Sequence, residues 1–131
     1  MNALQQAQTA YASPAAAGRV RTQQDTEYDA LARVSHKLYA AIKAGKKGFP
    51  DLVAALHDNR KLWTILATDV ADTSNALPQS LRAQLFYLAE FTQVHTSKVL
   101  RKEADAGVLV EINSAVMKGL RAQGDAIGGA E

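Results

Sequence analysis

The chain has no cysteine, one tryptophan in a set of few aromatics, three prolines and no long apolar run. Without cysteine there is no disulfide framework, no thiol nucleophile and no cysteine-based zinc site, which suits a reducing cytoplasm. No window approaches the roughly 18 consecutive apolar residues of a membrane span. The opening MNALQQAQTAYASPAAAGRV lacks a basic start and an apolar core of about 7–15 residues, so it does not read as a signal peptide. Charge is scarce too. The 15 Lys and Arg against 13 Asp and Glu leave +2, too little to indicate nucleic acid by itself.

What is present points to helix. Alanine is abundant, 47% of residues are apolar and 21% charged, a globular composition. A chain of 131 residues falls within the usual size of one domain, so residues 1–131 are read as a single unit.

Residues 3–12 form a short alanine- and glutamine-rich segment ended by Ser13-Pro14, and AAAGRVRTQQD reads as a connector. Residues 1–20 are therefore expected to be an arm. From about Thr22 to Lys43, Tyr28, Leu31, Ser35, Leu38 and Ile42 recur at helical spacing, with Thr22 and Asp25 resembling a capping box. Gly45-Lys46-Lys47-Gly48 is the stop. Phe49-Pro50-Asp51 opens a third segment to about Ala71, with Leu56, Trp63, Leu66 and Val70 on one face. Pro78 opens the next, to about Lys102, with Leu81, Leu85, Leu88, Thr92, His95 and Val99 alternating in steps of four and three, a bundle-like pattern. ADAG is read as its end, at Gly107. The last helix carries Leu109, Ile112, Val116 and Leu120, and residues 122–131 read as a frayed tail. No strand alternation accompanies these stripes. The expected fold is a small all-α bundle of four to five helices.

Little in the sequence promises chemistry. His36, His57 and His95 are scattered, with no second histidine at i+3 or i+4, so no metal-ligand pair arises. His95 on its apolar stripe reads as a packed, hydrogen-bonded side chain. His57 and Asp58 are neighbours, but adjacent helical residues point about 100° apart and make a poor acid–base pair. GKKG lacks the spacing and the hydroxyl of a phosphate loop. No cofactor or catalytic site is expected, and the chain does not read as an enzyme. Seven Lys and Arg against three Asp and Glu fall in residues 19–47, and Lys98, Arg101 and Lys102 add a second cluster. No arginine-rich run or aromatic sheet platform goes with them, so ordinary helix-end charge is the simpler reading.

The stretches Ala55-Leu56-x-x-Asn59-Arg60-x-Leu62-Trp63, Asp69, Asn75-x-Leu77-Pro78-x-x-Leu81-Arg82, Glu111-Ile112-Asn113 and Met117-x-Gly119-Leu120 occur in that order. Together they resemble the flagellar regulator FlaF family of alphaproteobacteria, over about 110 residues. The resemblance implies a cytoplasmic factor needed for flagellin synthesis and export, working beside the flagellin-mRNA regulator FlbT. It further implies a non-catalytic flagellin chaperone, since flagellin ends in amphipathic helices that must stay unpolymerised before export. A helical partner with a spare apolar groove can cover such a helix through i, i+3, i+4 and i+7 anchors. Its groove would be lined by the helices over residues 49–70 and 78–99.

On that reading the candidate partner-binding residues are Leu56, Asn59, Arg60, Trp63, Leu66, Leu81, Leu85, Leu88, Ile112 and Met117. Trp63, in NRKLWTILATD, is read as a core anchor or as a groove contact; a base-stacking role fits its apolar stripe less well. Asn59 and Asp69 are read as buried hydrogen-bonding groups, Asp69 reaching Arg82 across the turn or capping the next helix. Two rival roles remain. One is post-transcriptional control of flagellin mRNA, by direct RNA contact through Lys46, Lys47, Arg101 and Lys102 or through FlbT. The other is an adaptor that binds FlbT or an export-gate component.

Overall fold

Leu31, Val34, Leu38 and Ala41 all turn inward at helical spacing on helix α1, Gln23–Lys43. The structure, a computed structural model, describes the backbone of residues 23–129 and the side chains of residues 26–121. The segment expected over residues 3–12 and the Thr22–Asp25 cap lie outside the described side chains.

The GKKG stop is a single 3₁₀ turn, Gly45–Gly48. Gly45 takes a left-handed φ of 65°, which a side chain resists. A Cβ on Gly48 would sit 2.4 Å from the Ala41 carbonyl oxygen. Only glycine lets this turn fold down onto the end of α1. Helix α2, Phe49–Ala71, follows at once, with Pro50 in its first turn and Asp51 suited to the dipole there.

The turn over residues 72–78 is held by its own polar side chains. Ser74 N–H and Oγ–H both donate to Asp72 Oδ1, and Leu77 N–H donates to Asn75 Oδ1. Asn75 Nδ2 donates to the Asp69 carbonyl at 3.1 Å. Arg82 does reach across the turn, and the acceptors it meets there are the carbonyls of Val70 and Asp72.

Helix α3, Gln79–Leu100, stops close to the expected Lys102, and the residue that closes it is Lys102 itself, with φ 62°, rather than Gly107. Lys102 N–H donates to the Val99 carbonyl and Glu103 N–H to the Lys98 carbonyl, the paired closure of a Schellman motif. Gly107 instead opens helix α4, Gly107–Gly129. That helix continues through the stretch expected to fray; no proline interrupts it, and its alanines favour helix. Among the described residues the fold is a small all-α bundle of four helices with no strand, as the stripes predict.

Successive helices run antiparallel through short connections. The close backbone pairs are α1–α2, α2–α3 and α1–α4; consecutive α3 and α4 are not among them. The core divides into two apolar clusters. One, near the α3–α4 connection, contains Val34, Leu38, Leu56, Val99, Ala106 and Leu109. The other contains Leu31, Trp63, Leu66 and Ala89, with half-buried Leu85, Leu88, Ile112, Val116, Met117 and Leu120 packed against it. Burying each large apolar side chain contributes roughly 1.5–3 kcal/mol, which is why these stripes decide the fold.

Every helix supplies a buried polar side chain at or beside the point where its contributions pass from one cluster to the other: Ser35 next to Val34, Asn59, Thr92 with Thr96, and Asn113 next to Ile112. The bundle therefore has a polar waist.

Candidate functional site

The motif residues Asn59, Trp63 and Asn113 meet at that waist. Trp63 Nε1–H donates to Asn113 Oδ1 at 2.9 Å, and Asn113 Nδ2 donates to Asn59 Oδ1 at 2.8 Å. All three side chains are fully buried. Both polar ends of Asn113 are thereby used, so α4 can join α2 in one register only. Trp63 is a core anchor. With no exposed ring face, neither a nucleotide base nor a partner side chain reaches it in this fold.

Arg60, one residue from Asn59, ties α2 to α3. Its Nε donates to Gln93 Oε1 at 2.8 Å, and its Nη2 donates to the Gln93 carbonyl at 2.7 Å and to Ser97 Oγ at 2.6 Å. Gln93 Nε2 answers with bonds to the Arg60 carbonyl and to Thr64 Oγ1. The planar guanidinium suits such a fork, and its Nε and Nη2 donors are committed inside the chain.

The absence of a close α3–α4 seam leaves a groove. Leu77, Leu81, Gln84, Leu85 and Leu88 form one wall, and Ala115, Val116, Gly119 and Leu120 the other, around a cavity of about 450 Å³. Its lining is almost wholly apolar, and its leucines are only half-buried. Both helices expose this face because α3 leans on α2 and α4 leans on α1. Gly119 carries a further mark. Among the described residues a Cβ there would meet nothing within 4 Å, so none of their contacts requires a glycine in mid-helix.

Of the ten candidate residues, Leu81, Leu85 and Leu88 line the groove. Ile112 and Met117 are half-buried against the cluster beneath it. Leu56, Asn59, Trp63 and Leu66 face the interior, and Arg60 makes the α2–α3 tie. The sequence reading missed Leu77, Gln84, Ala115, Val116, Gly119 and Leu120 as lining. Val116 and Leu120 stood on a recognised stripe, but which stripe lacks a partner depends on how four helices pack.

At the opposite end, Lys102 Nζ lies 4.7 Å from the centre of the Phe49 ring, a cation–π contact. This brings Lys102 beside the turn that carries Lys46 and Lys47, so basic clusters more than fifty residues apart share one pole. Arg101 is paired with Glu103 at 3.1 Å.

The histidines offer no catalytic arrangement. His95 Nε2–H donates to the Asp105 carbonyl at 2.7 Å, and its ring stacks on Phe91 at 5.4 Å, a packed and hydrogen-bonded state. Asp58 pairs with Lys37 at 3.6 Å rather than with its neighbour His57. Among the described residues, no three His, Asp or Glu side chains gather as a metal site would require, and no helix is long and apolar enough to cross a membrane.

No curated protein and no solved structure matches the chain. A model of the family described as "Flagellar protein FlaF" matches residues 7–120, a span that includes every groove and waist residue named above. The chain belongs to the FlaF family of flagellar proteins.

Proposed function

We propose that this flagellar protein is a non-catalytic flagellin chaperone whose α3–α4 groove receives one amphipathic helix from an end of flagellin, in the cytoplasm, before export. The observation that carries the reading is the apolar groove between two helices that have no close seam with each other. From Leu81 to Leu88 its α3 wall extends about 10 Å, the length of two helical turns, and Leu77 of the preceding turn lengthens it. Leucines at 81, 85 and 88 offer the four- and three-residue steps that meet the apolar stripe of an incoming helix. Removing that stripe from water would keep flagellin from pairing with itself. The test is calorimetric titration with flagellin. Saturable binding at micromolar concentration, abolished by Leu85→Asp with the helical content unchanged, supports the reading. Absence of binding at tens of micromolar overturns it.

A second reading has one observation in its favour. The pole formed by Lys46, Lys47 and Lys102 could meet the phosphates of flagellin mRNA, giving translational control directly rather than through a FlbT-type regulator. Direct contact requires a gel shift that weakens steeply with salt and is lost in Lys46→Ala/Lys47→Ala/Lys102→Ala. An effect through FlbT, or an adaptor role, requires co-purification of that partner from cells.

A further inference from the structure

The outward face of α3 carries an apolar and charged stripe that the groove does not use. Tyr87 and Val94 are 65% and 60% exposed, more than any other large hydrophobic residue among the described side chains. They lie two turns apart and so on the same face. Glu90 falls between them, and Lys98 and, just past the helix, Arg101 continue the face; all three are exposed, and Arg101 also pairs with Glu103 of its own chain. Among the described residues neither Glu90 nor Lys98 has an ion-pair partner. The groove wall of Leu81, Leu85 and Leu88 faces elsewhere on the same helix, so it is not part of this stripe.

The order of side chains along the stripe makes it complementary to itself. An antiparallel copy of α3, centred on Val94, places Val94 against its own mate on a two-fold axis. Glu90 then faces Lys98 of the other copy, and Tyr87 faces Arg101. Each half contributes one ion pair and one aromatic–guanidinium contact, and both recur by symmetry, as an isologous interface requires. In a parallel pairing, Glu90 would oppose Glu90 and Lys98 would oppose Lys98. The charge order therefore selects the antiparallel arrangement.

We propose that this face is a homodimer interface: the chain self-associates through antiparallel α3 helices centred on Val94, leaving both α3–α4 grooves open. One helix face is a small interface, so the association is weak, with a dissociation constant in the range of about 10–200 µM. The proposal does not rest on the flagellin reading.

Sedimentation velocity of the full chain across that concentration range tests it. A monomer–dimer equilibrium is expected. Val94→Glu, which sets two carboxylates face to face on the axis, should weaken it at least about tenfold, as should Glu90→Lys or Lys98→Glu alone. The double exchange Glu90→Lys/Lys98→Glu should restore dimerisation, an outcome that a merely structural role for either residue does not produce. Circular dichroism checks that each variant is folded, and these surface positions tolerate such changes. A chain that stays monomeric throughout overturns the proposal, as does a dimer indifferent to Val94→Glu or a double exchange without rescue. Capture of a different protein by this face without self-association also overturns it.

Discussion

Trp63 and Asn113, fifty positions apart, are joined by a buried hydrogen bond of 2.9 Å between the indole N–H and the amide oxygen. Asn113 passes the connection to Asn59, so its removal leaves a buried donor and a buried acceptor without partners. Asn113→Ala is expected to lower stability by about 2–4 kcal/mol, more than a surface truncation. Urea unfolding checks this. Asn59→Ala combined with Asn113→Ala should cost less than the two separately, because the second change removes a group already orphaned.

Thr92 is a different kind of polar residue. Its Oγ1 is buried with no hydrogen-bond partner among the described residues. Thr92→Val keeps the branched shape and removes the unmatched hydroxyl, and a gain of about 1 kcal/mol is expected in the same unfolding experiment. A loss of similar size would show that the hydroxyl is satisfied in solution.

Gly119 separates folding from binding. Its Cβ position is open, so Gly119→Ala should stabilise the free chain by about 0.5–1 kcal/mol through helix propensity. On the chaperone reading, the added methyl narrows the groove and flagellin affinity falls, and Gly119→Trp fills the groove without unfolding the bundle. Thermal melts alongside flagellin titrations distinguish the two effects. Unchanged affinity in Gly119→Trp would detach the groove from flagellin binding.

Lys102 holds a left-handed backbone conformation with its ammonium over Phe49. Lys102→Gly relieves the backbone and loses the ring contact, whereas Lys102→Ala loses the contact and keeps the strain. The glycine variant should therefore be the more stable of the two by about 1 kcal/mol. Phe49→Leu should narrow the gap between wild type and Lys102→Ala.

Asp72 gives a pH dependence of defined sign. Hydrogen bonds from Ser74 N–H and Oγ–H, aided by the charge of Arg82, lower its pKa below the ordinary 3.8. The ionised carboxylate is favoured by folding, so this contribution is complete above pH 3.8 and fades as pH falls through the lower folded value. In Asp72→Asn, stability should fall less between about pH 5 and 2 than in wild type. Because the side chain is exposed, the difference is small.

The limits of α2 were legible because local chemistry sets them: Gly48 must be glycine, Pro50 suits a first turn, and no proline or glycine interrupts the helix from there to Ala71. The end of α3, expected at about Lys102, was legible to within two residues, but the closure that makes it was not. A Schellman closure is recognised by its glycine, and here a lysine occupies that position, held where its ammonium meets Phe49 from another part of the chain. Leu81, Leu85 and Leu88 were legible as apolar and as candidates, while Trp63 and Leu66, equally apolar, went to the interior.

Periodicity, turn residues and the order of the FlaF motifs determined from sequence alone that the chain forms an all-α bundle of this family, since helix spacing and stops are local matters. Which stripes find partners was decided only by tertiary structure. Among the described residues four helices share three close seams, and the apolar faces left over between α3 and α4 become a groove because of where α1 and α2 stand.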